Sequence, residues 1–106
     1  MDLAMNQHGV QIPEIRIGEF CREHRIARLS LFGSILRDDF GPDSDVDLLV
    51  EFEPGCTPSL MGMAGLEAEL SEIIGRKADL RTPAKLSRHF RDEVLGEARP
   101  QYVATR

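Results

Sequence analysis

The stretch LSLFGSILRDDFGPDSDVDLLVEF, from Leu29 to Phe52, decides how the rest of the chain is read. Two apolar runs bracket a Gly33-Ser34 turn, a charged segment and the acidic pair Asp45 and Asp47. Side chains at i and i+2 of a strand share one face, so both carboxylates should point the same way. Two carboxylates held on one rigid surface repel each other, and a divalent cation bound through oxygen ligands is the usual relief. Metal-assisted phosphoryl chemistry is therefore the first expectation. Gly33 lets the backbone come close to a phosphate, and Ser34 adds a hydroxyl. A helix beginning there would aim unpaired N–H groups and its positive end at an anion.

Working outward, Ile26 to Phe32 alternates as a strand that Gly33 ends, and Ser34 to Phe40 is expected to form a short helix before the breakers Gly41-Pro42-Asp43-Ser44. A second strand, Asp45 to Phe52, places Val46, Leu48, Val50 and Phe52 on one face, with Asp45, Asp47, Leu49 and Glu51 on the other. Upstream, Ile17, Phe20, Cys21 and His24 mark a helix from about Pro13 to His24, preceded by an irregular lead-in, residues 1–11. Downstream, Thr57-Pro58 is expected to cap and open a helix that carries Met63, Leu66, Leu70, Ile73 and Ile74 and stops at Gly75. Arg76 to Thr82 then reads as a third strand, with Lys77, Asp79 and Arg81 on one face. Pro83 opens a last helix with Leu86, Phe90 and Val94 as its buried stripe. Gly96 and Pro100 close it before a tail, residues 101–106. The expected class is α/β (α+β), a single domain over residues 12–100: one small mixed sheet with helices packed mainly on one face.

Composition narrows the function. The chain has 106 residues, 13 basic and 18 acidic, a net charge of -5, which does not suit direct nucleic-acid binding. Cys21 and Cys56 lack CxxC spacing, so they read as free thiols rather than as a disulfide or zinc site. The N-terminus has no signal-like apolar run and no segment is of membrane-spanning length, so a cytoplasmic location is expected. Asp79 has the phase to join Asp45 and Asp47 as a third oxygen ligand or base. His8, His24 and His89 share no ligand spacing, Asp43 suits a turn, and Asp38 and Asp39 suit a solvated helix face.

Gly33-Ser34, ten intervening residues, Asp45-Val46-Asp47 and a later Asp79 together resemble the minimal nucleotidyltransferases of the DNA polymerase beta-like superfamily. The resemblance runs from about Leu29 to Leu80. It implies the polymerase beta-like fold, with Gly33 and Ser34 contacting the triphosphate of ATP. Asp45, Asp47 and Asp79 would bind Mg²⁺, as two ions, and Asp79 would help activate an attacking hydroxyl. Arg37 falls where family members often carry a nucleotide-contacting Arg. Small members resemble antitoxins whose partner is a HEPN ribonuclease toxin, and the segment from Arg91 to Arg99 looks like their last helix. Because little chain follows Asp79, the acceptor is expected on another protein, in a hetero-oligomer. The activity implied is transfer of AMP to a hydroxyl, a tyrosine of that toxin. Two alternatives are a non-catalytic antitoxin that occludes its toxin, and a small-molecule nucleotidyltransferase whose paired copies build an acceptor cleft.

Overall fold

The computed structural model describes residues 3–5, 10–37 and 40–104. In chain order the elements are β1 (Leu3–Met5), β2 (Gln11–Pro13), α1 (Glu14–Glu23), β3 (Ile26–Phe32), a 3₁₀ turn Gly33–Leu36, β4 (Val46–Phe52), α2 (Leu60–Ile74), β5 (Ala78–Arg81), a 3₁₀ turn Pro83–Lys85, α3 (Arg88–Glu97) and β6 (Arg99–Val103). Four strands form one sheet in the order β5-β4-β3-β6, and β1 and β2 make a separate two-stranded ribbon. β4 and β5 run parallel, whereas β3 is antiparallel to both β4 and β6. This is the mixed sheet expected from the sequence.

The alternation of β4 explains the layers. Val46, Leu48 and Val50 are at most 1% exposed and pack with Leu66, Leu70 and Ile74 of α2 and Ile17, Phe20 and Cys21 of α1. Each such side chain removed from water stabilises the fold by roughly 1.5–3 kcal/mol. Burial pushes the Cys21 thiol up to about 12, so it behaves as a small apolar core residue. α2 begins at Ser59, whose hydroxyl accepts from the Gly62 N–H at 3.1 Å, and ends at Gly75 in the left-handed region with φ 79. The cap is therefore Ser59, two residues later than the expected Thr57.

The opposite face differs from expectation. Leu49, Phe32, Leu86 and Val94 form a second buried cluster, so α3 closes over the part of that face next to Asp47. Leu86 lies before the helix with extended backbone, φ -79 and ψ 144, so Leu86, Phe90 and Val94 do not form one helical stripe. Phe90 is accordingly 47% exposed.

Three further segments depart from the sequence reading. The short helix expected over Ser34 to Phe40 is the single 3₁₀ turn, ended by Arg37 at φ -125 and ψ 173, and Asp38 and Asp39 lie outside the described residues. The expected tail contributes strand β6, where Pro100 is tolerated because β6 is an edge strand. The expected irregular lead-in contributes strand β1, paired from Leu3 opposite Pro13 to Met5 opposite Gln11.

β5 is the other edge, and α2 covers its backbone. The Ser71 hydroxyl accepts from the Ala78 N–H at 2.8 Å, and a Glu67 carboxylate oxygen accepts from the Leu80 N–H at 2.7 Å. These two side chains satisfy donors that an edge strand would otherwise offer to another chain.

Candidate active site

Register alone assembles most of the predicted site. Phe32 lies opposite Asp47 across the β3–β4 pair, and Asp47 lies beside Asp79 across the β4–β5 pair. Residues paired in register place their side chains on the same face, with neighbouring strands ~4.8 Å apart. Asp47 and Asp79 therefore stand side by side, and Gly33 follows Phe32 at the end of the same row. Asp45 sits one residue before β4, at the mouth, with its side chain 41% exposed.

Gly33 occupies a position that glycine alone suits. Its φ of +78 is left-handed, and a Cβ built there would overlap the Asp47 carboxylate and lie 3.2 Å from Asp47 Cγ. The turn is thus pressed directly against the deepest acid. Its N–H groups and the Ser34 hydroxyl remain suitable phosphate donors, but one 3₁₀ turn supplies little of the helix dipole expected there.

Electrostatics single out Asp47. Burial raises its pKa above the ordinary 3.8, and the carboxylates of Asp79 and Asp45 raise it further, while Arg81 and Arg37 oppose the rise. Its surroundings account for the burial, because Phe32 across the strand and Leu49 two residues along both belong to the apolar cluster under α3. Its neighbours have cations at hand: Arg81 donates to Asp79 at 3.1 Å, and Lys77 Nζ is 3.9 Å from Asp45. Arg37 donates to Glu97 of α3 at 3.0 Å, which holds a cation within electrostatic reach of Asp47.

This donor set fits a hard divalent cation. All three acids offer carboxylate oxygens, the ligand type that Mg²⁺ takes. Burial of Asp47 and its carboxylate neighbours Asp79 and Asp45 both disfavour its charged form, which a bound cation would favour. A different acidic group, Glu23, His24 and Glu69, brings its ligand atoms within 4.8 Å of one another. It lies at the far end of β4, where the Glu53 backbone N–H donates to the Arg25 carbonyl, away from the row at Asp47.

Sequence reasoning missed Arg76. Its guanidinium donates to the carbonyls of Gly41, Pro42 and Ser44 at 3.0, 3.2 and 2.6 Å, and stacks over the Phe40 ring at 4.8 Å. It thereby ties down the loop that delivers Asp45. A lone Arg after a helix-ending Gly carries no periodic or motif signal, so only the tertiary contacts reveal it. The role of α3 was also missed, since Leu49 alone among charged neighbours gave no hint that its face would be dry.

A Gly-Ser turn pressed against a row of carboxylates on a mixed sheet defines a nucleotide-handling domain of the phosphoryl-transfer class. The family model for the nucleotidyltransferase domain matches residues 15–101, and the chain belongs to that family. A Methanocaldococcus jannaschii relative named for protein adenylyltransferase activity is 37% identical over 76 residues, covering 72% of this chain and 80% of that protein. The protein adenylyltransferase MntA of Thermococcus cleftensis is 36% identical over 72 residues, covering 68% and 71%. Among solved structures, a minimal nucleotidyltransferase superposes with a TM-score of 0.68 at 36% identity, covering 82% of this chain and 87% of that one. A chain of a toxin–antitoxin complex with AMP-PNP gives 0.69 at 19% identity, covering 87% and 74%. A chain from a tri-AMPylated Shewanella oneidensis HEPN toxin in complex with an MNT antitoxin gives 0.62 at 19% identity, covering 86% and 70%. The last two are similar in fold alone.

Proposed function

We propose that this nucleotidyltransferase transfers AMP from ATP to a tyrosine hydroxyl of a HEPN-type ribonuclease toxin, and so acts as its antitoxin. The observation that carries the reading is the pairing of Asp47 beside Asp79 on adjacent strands, with the Gly33 turn, which follows Phe32 opposite Asp47, pressed against the Asp47 carboxylate. The names of the relatives and the toxin–antitoxin complexes among similar folds support the choice of acceptor.

In this reading the Gly33-Ser34 turn donates hydrogen bonds to the β- and γ-phosphates. Asp47 and Asp45 hold the cation side of the triphosphate, and Arg37 adds positive charge near the leaving group. Asp79 accepts the proton from the attacking hydroxyl. The new bond joins the acceptor oxygen to the α-phosphorus, the bond from that phosphorus to the bridging oxygen breaks, and pyrophosphate leaves. A bound pair of Mg²⁺ ions would supply the positive charge that stabilises the attacking and leaving oxygens. Arg81, which donates to Asp79, keeps that carboxylate oriented before substrate arrives.

The test is incubation of the purified chain with its HEPN-type partner, Mg²⁺ and each of the four α-labelled triphosphates. Label from ATP on a partner tyrosine, absent with Asp47→Asn, supports the proposal. Equal labelling by the Asp47→Asn variant, or toxin neutralisation without any transfer, overturns it.

A further inference from the structure

The order of groups across the sheet gives transfer a direction. Gly33 and Ser34 follow the end of β3, Asp47 lies on β4 and Asp79 on β5, with β5 at the sheet edge. In phosphoryl transfer the attacking and leaving oxygens lie roughly in line through the phosphorus. With pyrophosphate leaving toward Gly33-Ser34, the attacking hydroxyl must arrive from the β5 edge. Just there, between α2, β5 and the turn Pro83–Lys85, lies a cavity of about 530 Å³. Asp79 lines it, as do Leu60, Met63, Leu80, Arg81 and Lys85.

Several features of this cavity are those of a docking cleft. Its volume falls within the ~300–1,000 Å³ range of small binding sites, ample for one aromatic side chain. Leu60 on its wall is 80% exposed, a large apolar side chain left in water beside Met63 and Ala64 of the same helix face. Exposed apolar side chains grouped at a cleft mark a contact surface for another molecule. Strand addition is excluded as the docking mode, because the outward N–H groups of Ala78 and Leu80 are already taken by Ser71 and Glu67. The charged lining is mixed: Arg81 is paired with Asp79 at 3.1 Å and Glu67 accepts from the Leu80 N–H, which leaves Lys85 as a further cation on the wall.

We infer that this cleft is the acceptor site: it receives a tyrosine-bearing segment of the protein acceptor, with Leu60 and Met63 gripping apolar residues of that segment and Lys85 facing an acidic residue flanking the tyrosine. The inference rests on the adenylyl-transfer reading above. Leu60 and Lys85 act as docking residues, and Asp79 remains the group that meets the hydroxyl.

The experiment compares the unaltered chain with Leu60→Glu, Lys85→Glu and, as a surface control outside the cleft, Ile15→Glu, which is also an exposed apolar position at 57%. Transfer to the HEPN-type partner is measured against partner concentration, and Mg²⁺·AMP-PNP binding is measured separately for each variant. The expected result is a rise in KM for the partner of about tenfold or more for Leu60→Glu and Lys85→Glu, with AMP-PNP affinity and kcat near wild type and Ile15→Glu unchanged. Wild-type KM in both cleft variants overturns the acceptor site while leaving adenylyl transfer standing. Absence of transfer by the wild-type chain overturns both.

Discussion

The two ends of β4 each carry an acidic cluster, and only one is built like an active site. At the far end, Glu23 and Glu69 reach His24 Nε2 at 3.2 and 3.4 Å from two helices, with side chains 68% and 45% exposed. At the near end, Asp47 and Asp79 project from paired strands, and Asp47 is pressed between a glycine turn and an apolar cluster. The ligand atoms of the far group lie within 4.8 Å of one another, but its two glutamates are long and solvated. What the comparison teaches is that short side chains on a hydrogen-bonded ladder are preorganised, whereas glutamates at helix surfaces must lose rotamer freedom to meet a ligand.

The sharpest way to break this contrast is to neutralise one acid at each end. Asp47→Asn should lower AMP transfer by at least about a hundredfold, the scale seen when a charge-stabilising group is removed. Glu69→Gln should leave it within about twofold and shift stability by less than ~1 kcal/mol, as for exposed ion pairs. Steady-state transfer and thermal melts read both.

Gly33→Ala tests the close approach of the turn. Its φ of +78 and the contact with Asp47 both oppose a side chain, so the variant should lose most nucleotide binding and about 1–2 kcal/mol of stability. Retention of wild-type AMP-PNP affinity would show that the turn is not part of the site.

Leu49→Ala tests the dry wall behind Asp47. Leu49 is 1% exposed, so truncation should cost about 2–5 kcal/mol in denaturant unfolding. Because water would then reach Asp47, the pKa of that acid should fall toward its ordinary value, observable by NMR titration of the carboxyl carbon.

The smallest effect concerns pH. The folded-state pKa of Asp47 is raised, so the folded protein holds its proton longer than the unfolded chain does. Stability from this group is therefore fully present below its ordinary 3.8 and is lost as pH rises through the folded-state value. In metal-free buffer, Asp47→Asn should melt higher than wild type near neutral pH, and the gap should shrink as the pH is lowered. Added Mg²⁺ should raise the melting temperature of wild type more than that of the variant.

Much of this was legible in the sequence because strands encode their faces with a period of two. That period put Asp45 and Asp47 on one side and Val46, Leu48 and Val50 on the other, and the phase of Asp79 between Ala78 and Leu80 pointed to the same side. The pairing of Asp79 beside Asp47 was not legible, since register depends on the β4–α2–β5 crossover as a whole. The α3 region failed for a different reason. A stripe of Leu86, Phe90 and Val94 presumes one continuous helix, but the chain stays extended at Leu86, so Phe90 faces solvent. Strand β6 was hidden by Pro100, which argues against a central strand but not against an edge.

The central claim, that the register row at Asp47 is the nucleotide site, is tested most directly by calorimetric titration of Mg²⁺·AMP-PNP into wild type, Asp47→Asn and Glu69→Gln. Wild type and Glu69→Gln should bind with matching affinity, and Asp47→Asn should lose binding. Undiminished binding by Asp47→Asn, or loss of binding in Glu69→Gln alone, would contradict it.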